Sequence, residues 1–103
     1  MPRRLLVASV ALYLALTGAA LARSDPDPIR YVAANCANCH GTAGRTSGAV
    51  PSIAGLQKSY FVEQMRLFRD GKRPATVMHQ IAKGYSDQQV EELADFFGRQ
   101  PAR

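Results

Sequence analysis

From residue 29 onward, apolar side chains recur with the period of helices, and nowhere with the alternation of strands. Ile29, Val32, Ala33 and Cys36 fall at i, i+3, i+4 and i+7, one face of a helix. Asp27 followed by Pro28 predicts its start, a side-chain acceptor at the N-cap and proline at the first helical position. Its end is expected near His40 and Gly41. Phe61, Met65 and Phe68 make the buried stripe of a second helix, expected from Ser59 to Gly71, with Glu63, Gln64, Arg66 and Arg69 on its polar sides. Val90, Leu93, Ala94 and Phe97 repeat the spacing in a third, opened by a Ser86–Gln89 capping box and stopped by Gly98 and Pro101. Gly41, Gly44, Gly48, Pro51 and Gly55 predict a long loop between the first two helices, one that wraps something. A second loop, residues 72–78 with Pro74, leaves room for a helical turn between Met78 and Lys83. The expected fold class is all-α: three main helices and loops in one domain, residues 29–103, after a polar linker at residues 23–28.

The first 22 residues read differently. Arg3 and Arg4 precede an apolar run over residues 5–16, and Ala20-Leu21-Ala22 supplies a small-x-small cleavage site. That is the pattern of a signal peptide, residues 1–22, and predicts a periplasmic protein. The run is shorter than the ~20 residues a bilayer span prefers, so cleavage is favoured over an uncleaved anchor, and no stable membrane span is expected afterwards. Neither cysteine follows the cleavage site, so a lipoprotein anchor has no attachment point. Cleavage removes two of thirteen basic residues and none of eight acidic ones, leaving a formal charge of +3. Such mild charge on an exported chain carries no nucleic-acid-binding pattern.

Hydrophobic residues at 47% and charged residues at 20% exclude a disordered chain. A mature chain this short usually recruits a disulfide framework, a metal or another added core element. Two cysteines cannot make a framework, so something else must fill the middle.

Cys36-Ala37-Asn38-Cys39-His40 says what. Two cysteines three apart near a helix end lie about 5–6 Å apart at Cβ, on one side of the helix. That spacing suits two thioether bonds to the vinyl groups of one haem, and the next residue then carries its imidazole under the iron as proximal ligand. Competing readings are a thioredoxin-type pair, which needs a βαβ context; a structural Cys36–Cys39 disulfide; and a zinc site with His79, which lacks the usual spacing. For a sixth iron ligand the candidates are Met65, Met78 and His79. Met65 sits at core spacing in the second helix, as a packing methionine does. Met78 follows the Pro74 loop, which can deliver it to the face opposite His40, and is preferred; His79 would give a bis-imidazole haem. A thioether favours ferrous iron and fills the last coordination position, which favours outer-sphere electron transfer over oxygen chemistry.

From residue 29 to about 98 the chain resembles class I c-type cytochromes. It is most similar to the small bacterial ones of the c4 kind and the haem subunit of flavocytochrome c sulfide dehydrogenase. The stretches that carry the resemblance are residues 36–41, Pro51-Ser52-Ile53-Ala54-Gly55, Thr76-Val77-Met78, Ile81-Ala82-Lys83-Gly84-Tyr85-Ser86-Asp87 and Leu93-Ala94-Asp95-Phe96-Phe97. The resemblance implies a small class I fold around one covalent haem c. It implies Met78 as distal ligand, a Pro51 carbonyl that accepts a hydrogen bond from the His40 ring, and a helix crossing near Ala33 and Phe97. No second Cys-x-x-Cys-His is present, so a monohaem protein is expected.

The function expected is one-electron transfer, with no catalysis by this chain. It is either the cytochrome subunit of a sulfide dehydrogenase, taking electrons from a flavoprotein, or a freely diffusing shuttle; a haem-based gas-binding protein is a third class, disfavoured by Met78. Arg66, Arg69, Lys72 and Arg73 form a basic cluster that is either a solvated face or a dock for an acidic redox partner. Tyr60 and Tyr85 are candidates for a haem propionate or for ordinary packing.

Overall fold

A computed structural model describes residues 27–102. The expected signal peptide and residues 23–26 of the linker lie outside the described residues. Four helices and no strand occur among the described residues: α1 (Ile29–His40), α2 (Lys58–Arg69), the single turn α3 (Met78–Ile81) and α4 (Asp87–Gly98). Short 3₁₀ turns follow α1 at Thr42–Gly44 and α3 at Ala82–Gly84. α4 packs against both α1 and α2, and α3 leans on α2.

The apolar stripes meet where the period places them. Ile29 and Ala33 of α1, Phe61 and Met65 of α2, and Val90, Leu93, Ala94 and Phe97 of α4 form one buried cluster, with Ala82 below α3. Phe61 stacks on Phe97 at 5.9 Å between ring centroids, and Phe96 meets Phe97 edge-on at 5.2 Å. Ala33 and Phe97 both lie in this core.

Helix ends follow local chemistry in two cases and a distant partner in a third. Ser86 and Gln89 form both bonds of the capping box, 3.1 Å from the Gln89 N–H to Ser86 Oγ and 3.0 Å from the Ser86 N–H to Gln89 Oε1. α2 stops at Arg69, before the expected Gly71, because Gly71 (φ 69°) is the left-handed residue just past the end. Its N–H donates to the Phe68 carbonyl, and that of Lys72 to the Leu67 carbonyl, which closes a Schellman motif. The N-terminus of α1 corrects the sequence expectation. Pro28 takes the N-cap position and makes no side-chain cap bond. The Asp27 carboxylate is drawn instead to Arg99, at 2.9 Å, which ties the start of α1 to the end of α4.

The loop between α1 and α2 is pinned by its own backbone. The Gly44 carbonyl accepts from the N–H groups of both Ile53 and Ala54, and the Gly55 N–H donates to the Phe97 carbonyl. Gly44 (φ 80°) is buried, and a Cβ there would stand 2.8 Å from Phe97 Cδ1 and 2.9 Å from Ile53 Cγ1. Gly44→Ala is therefore expected to destabilise the protein by about 2–4 kcal/mol, from left-handed strain plus overpacking, read as a lowered midpoint in urea unfolding. A change of less than about 0.5 kcal/mol, the size of an ordinary surface substitution, would refute the contact.

Candidate functional site

The last two turns of α1 carry Cys36, Cys39 and His40. Cys36 is half-buried against the core, Cys39 is exposed, and both are free thiols. Burial pushes the Cys36 thiol above its ordinary pKa, so its environment favours the neutral thiol. The helix stops directly after His40 because Gly41 turns the chain at φ 83°, where a Cβ would collide with the Arg45 carbonyl.

His40 is 8% exposed, and its Nδ1 lies 2.6 Å from the Pro51 carbonyl oxygen. A carbonyl only accepts, so Nδ1 carries the proton and donates. The ring is then held in one orientation, and Nε2 keeps the lone pair that a metal takes. The loop builds its half of this contact: Thr46 and Ser52 are cross-linked by two hydrogen bonds of 2.9 Å, one through the Thr46 N–H and one to its carbonyl. Together with the Gly44 bonds to Ile53 and Ala54, they hold the three residues that follow Pro51.

The three candidates for a further donor separate by burial. Met65 is 8% exposed within the core cluster, as its spacing in α2 predicts for a packing residue. Met78 opens α3 and is half-buried, packed against the edge of that cluster. His79 is half-buried too, and its Nδ1 is shielded without a hydrogen-bond partner among the described residues. Helical geometry puts Met78 and His79 about 100° apart, on either flank of the buried Ala82, so they face different surroundings. Exposed apolar side chains adjoin these residues in sequence: Val50 beside Pro51, Val77 beside Met78, and Ile81 at the end of the same turn.

This donor set fits a haem and its iron. Two unbridged thiols one helical turn apart, an imidazole held through Nδ1, a thioether and apolar side chains are the groups a c-type haem uses. The alternatives find less. No group of three or more His, Cys, Asp or Glu that could hold a metal ion occurs among the described residues. No βαβ unit surrounds the cysteines, since the described residues include no strand. No described helix is long and apolar enough to cross a membrane.

The basic cluster keeps a solvated face laced with ion pairs: the Arg66 and Arg69 side chains stay 41% and 37% exposed. Arg66 pairs with Glu63 at 2.6 Å and Asp70 at 3.2 Å, and Arg69 pairs with Asp87 at 2.5 Å. Arg73 lies 4.7 Å above the Phe68 ring and donates to Gln64. Three of the four cations thus hold the chain itself. Tyr60 is exposed, whereas Tyr85 packs against the core.

Sequence reasoning missed the tight seat of Gly44 against Phe97 and these arginine contacts. Glycine in a loop signals a turn but not what faces it, and a run of cations does not say which of them meets a neighbour on its own helix and which, like Arg69, a distant anion.

A family described as cytochrome c oxidase, cbb3-type, subunit III matches residues 27–97. Over 64 residues the chain is 41% identical to the cytochrome subunit of sulfide dehydrogenase from Chlorobaculum tepidum, covering 62% of this chain and 58% of that one. It is 36% identical over 101 residues to a thiosulfate dehydrogenase electron acceptor from Thiomonas intermedia, covering 96% and 44%. A solved structure of cytochrome c4 from Acidithiobacillus ferrooxidans superposes with a TM-score of 0.59 at 35% identity, covering 61% of this chain and 37% of that one. The chain spans about half the length of the curated relatives it matches.

Proposed function

The chain belongs to the cytochrome c family, with the class I fold and haem c as its covalent cofactor, and on that premise we propose a monohaem one-electron carrier whose iron is held by His40 and Met78. The observation that carries this reading is the 2.6 Å hydrogen bond from His40 Nδ1 to the Pro51 carbonyl. It fixes the tautomer and aim of an imidazole that directly follows two free thiols.

Haem c supplies the ferric–ferrous couple that accepts and returns one electron. Cys36 and Cys39 anchor it, and the half-buried position of Cys36 ties that anchor to the core. His40 presents Nε2 while Pro51 holds the far side of the ring. Met78 presents its thioether from α3, a turn seated on α2. With His40 and Met78 both donating to the iron, no coordination position would stay open for oxygen or peroxide, which favours electron transfer without bond chemistry.

For the partner, we read the chain as the cytochrome subunit of a sulfide dehydrogenase, receiving electrons from a flavoprotein. The 41% identity to a protein so named supports this. A match over 96% of this chain, though 44% of the relative, to a thiosulfate dehydrogenase electron acceptor supports the second reading, a diffusing acceptor. A cleavable leader at residues 1–22, which the basic-then-apolar pattern and the small-x-small site support, would bring either one to the periplasm.

Gel filtration of a periplasmic extract from the native host tests the set. One haem per chain is expected, in a fraction that also contains flavin. A haem peak at the size of the lone chain would favour the diffusing acceptor, and a haem-free protein would overturn the carrier reading altogether.

A further inference from the structure

Met78 sits midway along the segment between α2 and α4, residues 70–86, and the two ends of that segment are tied together. Arg69, the last residue of α2, donates at 2.5 Å to Asp87, the first residue of α4. Arg69 also lies 3.8 Å from Asp70. Just inside the segment, Arg73 folds back onto α2: its guanidinium covers the Phe68 ring at 4.7 Å, its Nη1 donates to Gln64, and its N–H donates to the Leu67 carbonyl. Beyond it the segment is held by Ala82, which is 2% exposed, and by α3 against α2. Residues 74–77, immediately before Met78, are all exposed.

We propose that Arg69 and Arg73 are positioning residues that clasp this segment shut and so keep Met78 on the iron. The proposal rests on the reading of Met78 as axial ligand and adds what controls its release. A thioether is a weak donor, so the time it spends off the iron depends on how readily the chain carrying it lifts away. A clasp at the mouth of the segment acts on that local opening and little on global unfolding, because α1, α2 and α4 keep their own core. Arg69–Asp87 is an exposed pair and its share is small, whereas Arg73 combines stacking on an aromatic face with a hydrogen bond.

Imidazole binding to the ferric holoprotein reads the opening directly, since it takes the iron only when Met78 has left. Arg73→Gln is expected to raise the apparent imidazole affinity about three- to tenfold, with Arg73→Lys in between. Arg69→Gln and Asp87→Asn are each expected to raise it about two- to fivefold, and the double variant by no more than the larger single, because the two lose one shared contact. Far-ultraviolet circular dichroism and the global unfolding midpoint should move little. Unchanged imidazole affinity in both Arg73→Gln and Arg69→Gln would overturn the clasp. So would a fall in global stability that accounts for the whole gain, which marks a merely structural role. The failure of the underlying reading looks different: an unmodified ferric protein lacking the far-red sulfur-to-iron band has no Met78 ligation for a clasp to guard.

Discussion

A chain with both Cys36 and Cys39 replaced by alanine is expected to lose haem and, with it, cooperative folding. The protein-only core explains why. Of the ten buried hydrophobic residues among those described, four are alanines (Ala33, Ala54, Ala82 and Ala94), and among the described residues only Phe97 and Leu93 are large side chains with less than 2% exposure. Cys36, Ile53, Leu56 and Met78 lie half-buried around this cluster. Val50, Val77 and Ile81 stay exposed. Chains of this size rarely hold a fold without an added core element. A haem presents two apolar faces to such side chains, and the anchoring thiols keep it there. In urea, the unmodified holoprotein should show one cooperative transition in far-ultraviolet circular dichroism, and the double variant a broad drift from a largely unfolded start. The unmodified chain made without haem maturation is the control that separates loss of haem from loss of two sulfurs; it should behave like the variant. A cooperative transition in either haem-free chain would show that the protein core suffices.

How far the sequence reached depended on the range of the interaction. The Ser86–Gln89 capping box closes over three residues, and both of its bonds form. The Phe61, Met65 and Phe68 spacing placed Met65 in the core, because a helical stripe is also local information. Asp27 was read as a helix cap by the same local logic, but Arg99 stands 72 residues away in sequence and takes its carboxylate. The basic cluster is the solvated face its composition predicts, with Arg66 meeting Glu63 and Asp70 within one turn, but its longer ties are not local. Nothing near Arg69 announces Asp87, and nothing near Arg73 says that it will turn back onto Phe68. At the site, the Cys-x-x-Cys-His spacing points to haem attachment once it is joined to its context, an export pattern, an all-α chain short of core and a downstream loop methionine. The Pro51 carbonyl did not follow from spacing: it came from family resemblance, and its geometric basis is the bracing of the loop by Gly44, Thr46 and Ser52.

Met78→Ala is expected to open the iron while leaving haem attached. Attachment depends on Cys36 and Cys39, and the proximal side on His40 and Pro51, none of which the substitution touches. Met78 lies at the edge of the core and Met65 inside it, so the two methionines should respond in opposite ways. The ferrous Met78→Ala protein should bind one carbon monoxide per haem where the unmodified protein binds almost none. Its ferric form should lose the far-red sulfur-to-iron band, and its reduction potential should fall with the loss of a donor that favours ferrous iron. Met65→Ala should keep the band and bind no carbon monoxide, but lose about 2–5 kcal/mol of stability to the cavity. The rival donor is His79. It sits about 100° around α3 from Met78, beyond the buried Ala82, so reaching the same iron position requires α3 to rotate and expose that alanine. A Met78→Ala protein that stays low-spin and refuses carbon monoxide would mean that α3 does turn, or that His79 was the ligand from the start. The far-red band of the unmodified protein separates these: with it, Met78 was on the iron, and without it, His79 was; a Met78→Ala/His79→Ala double variant that then binds carbon monoxide identifies His79 as the remaining donor.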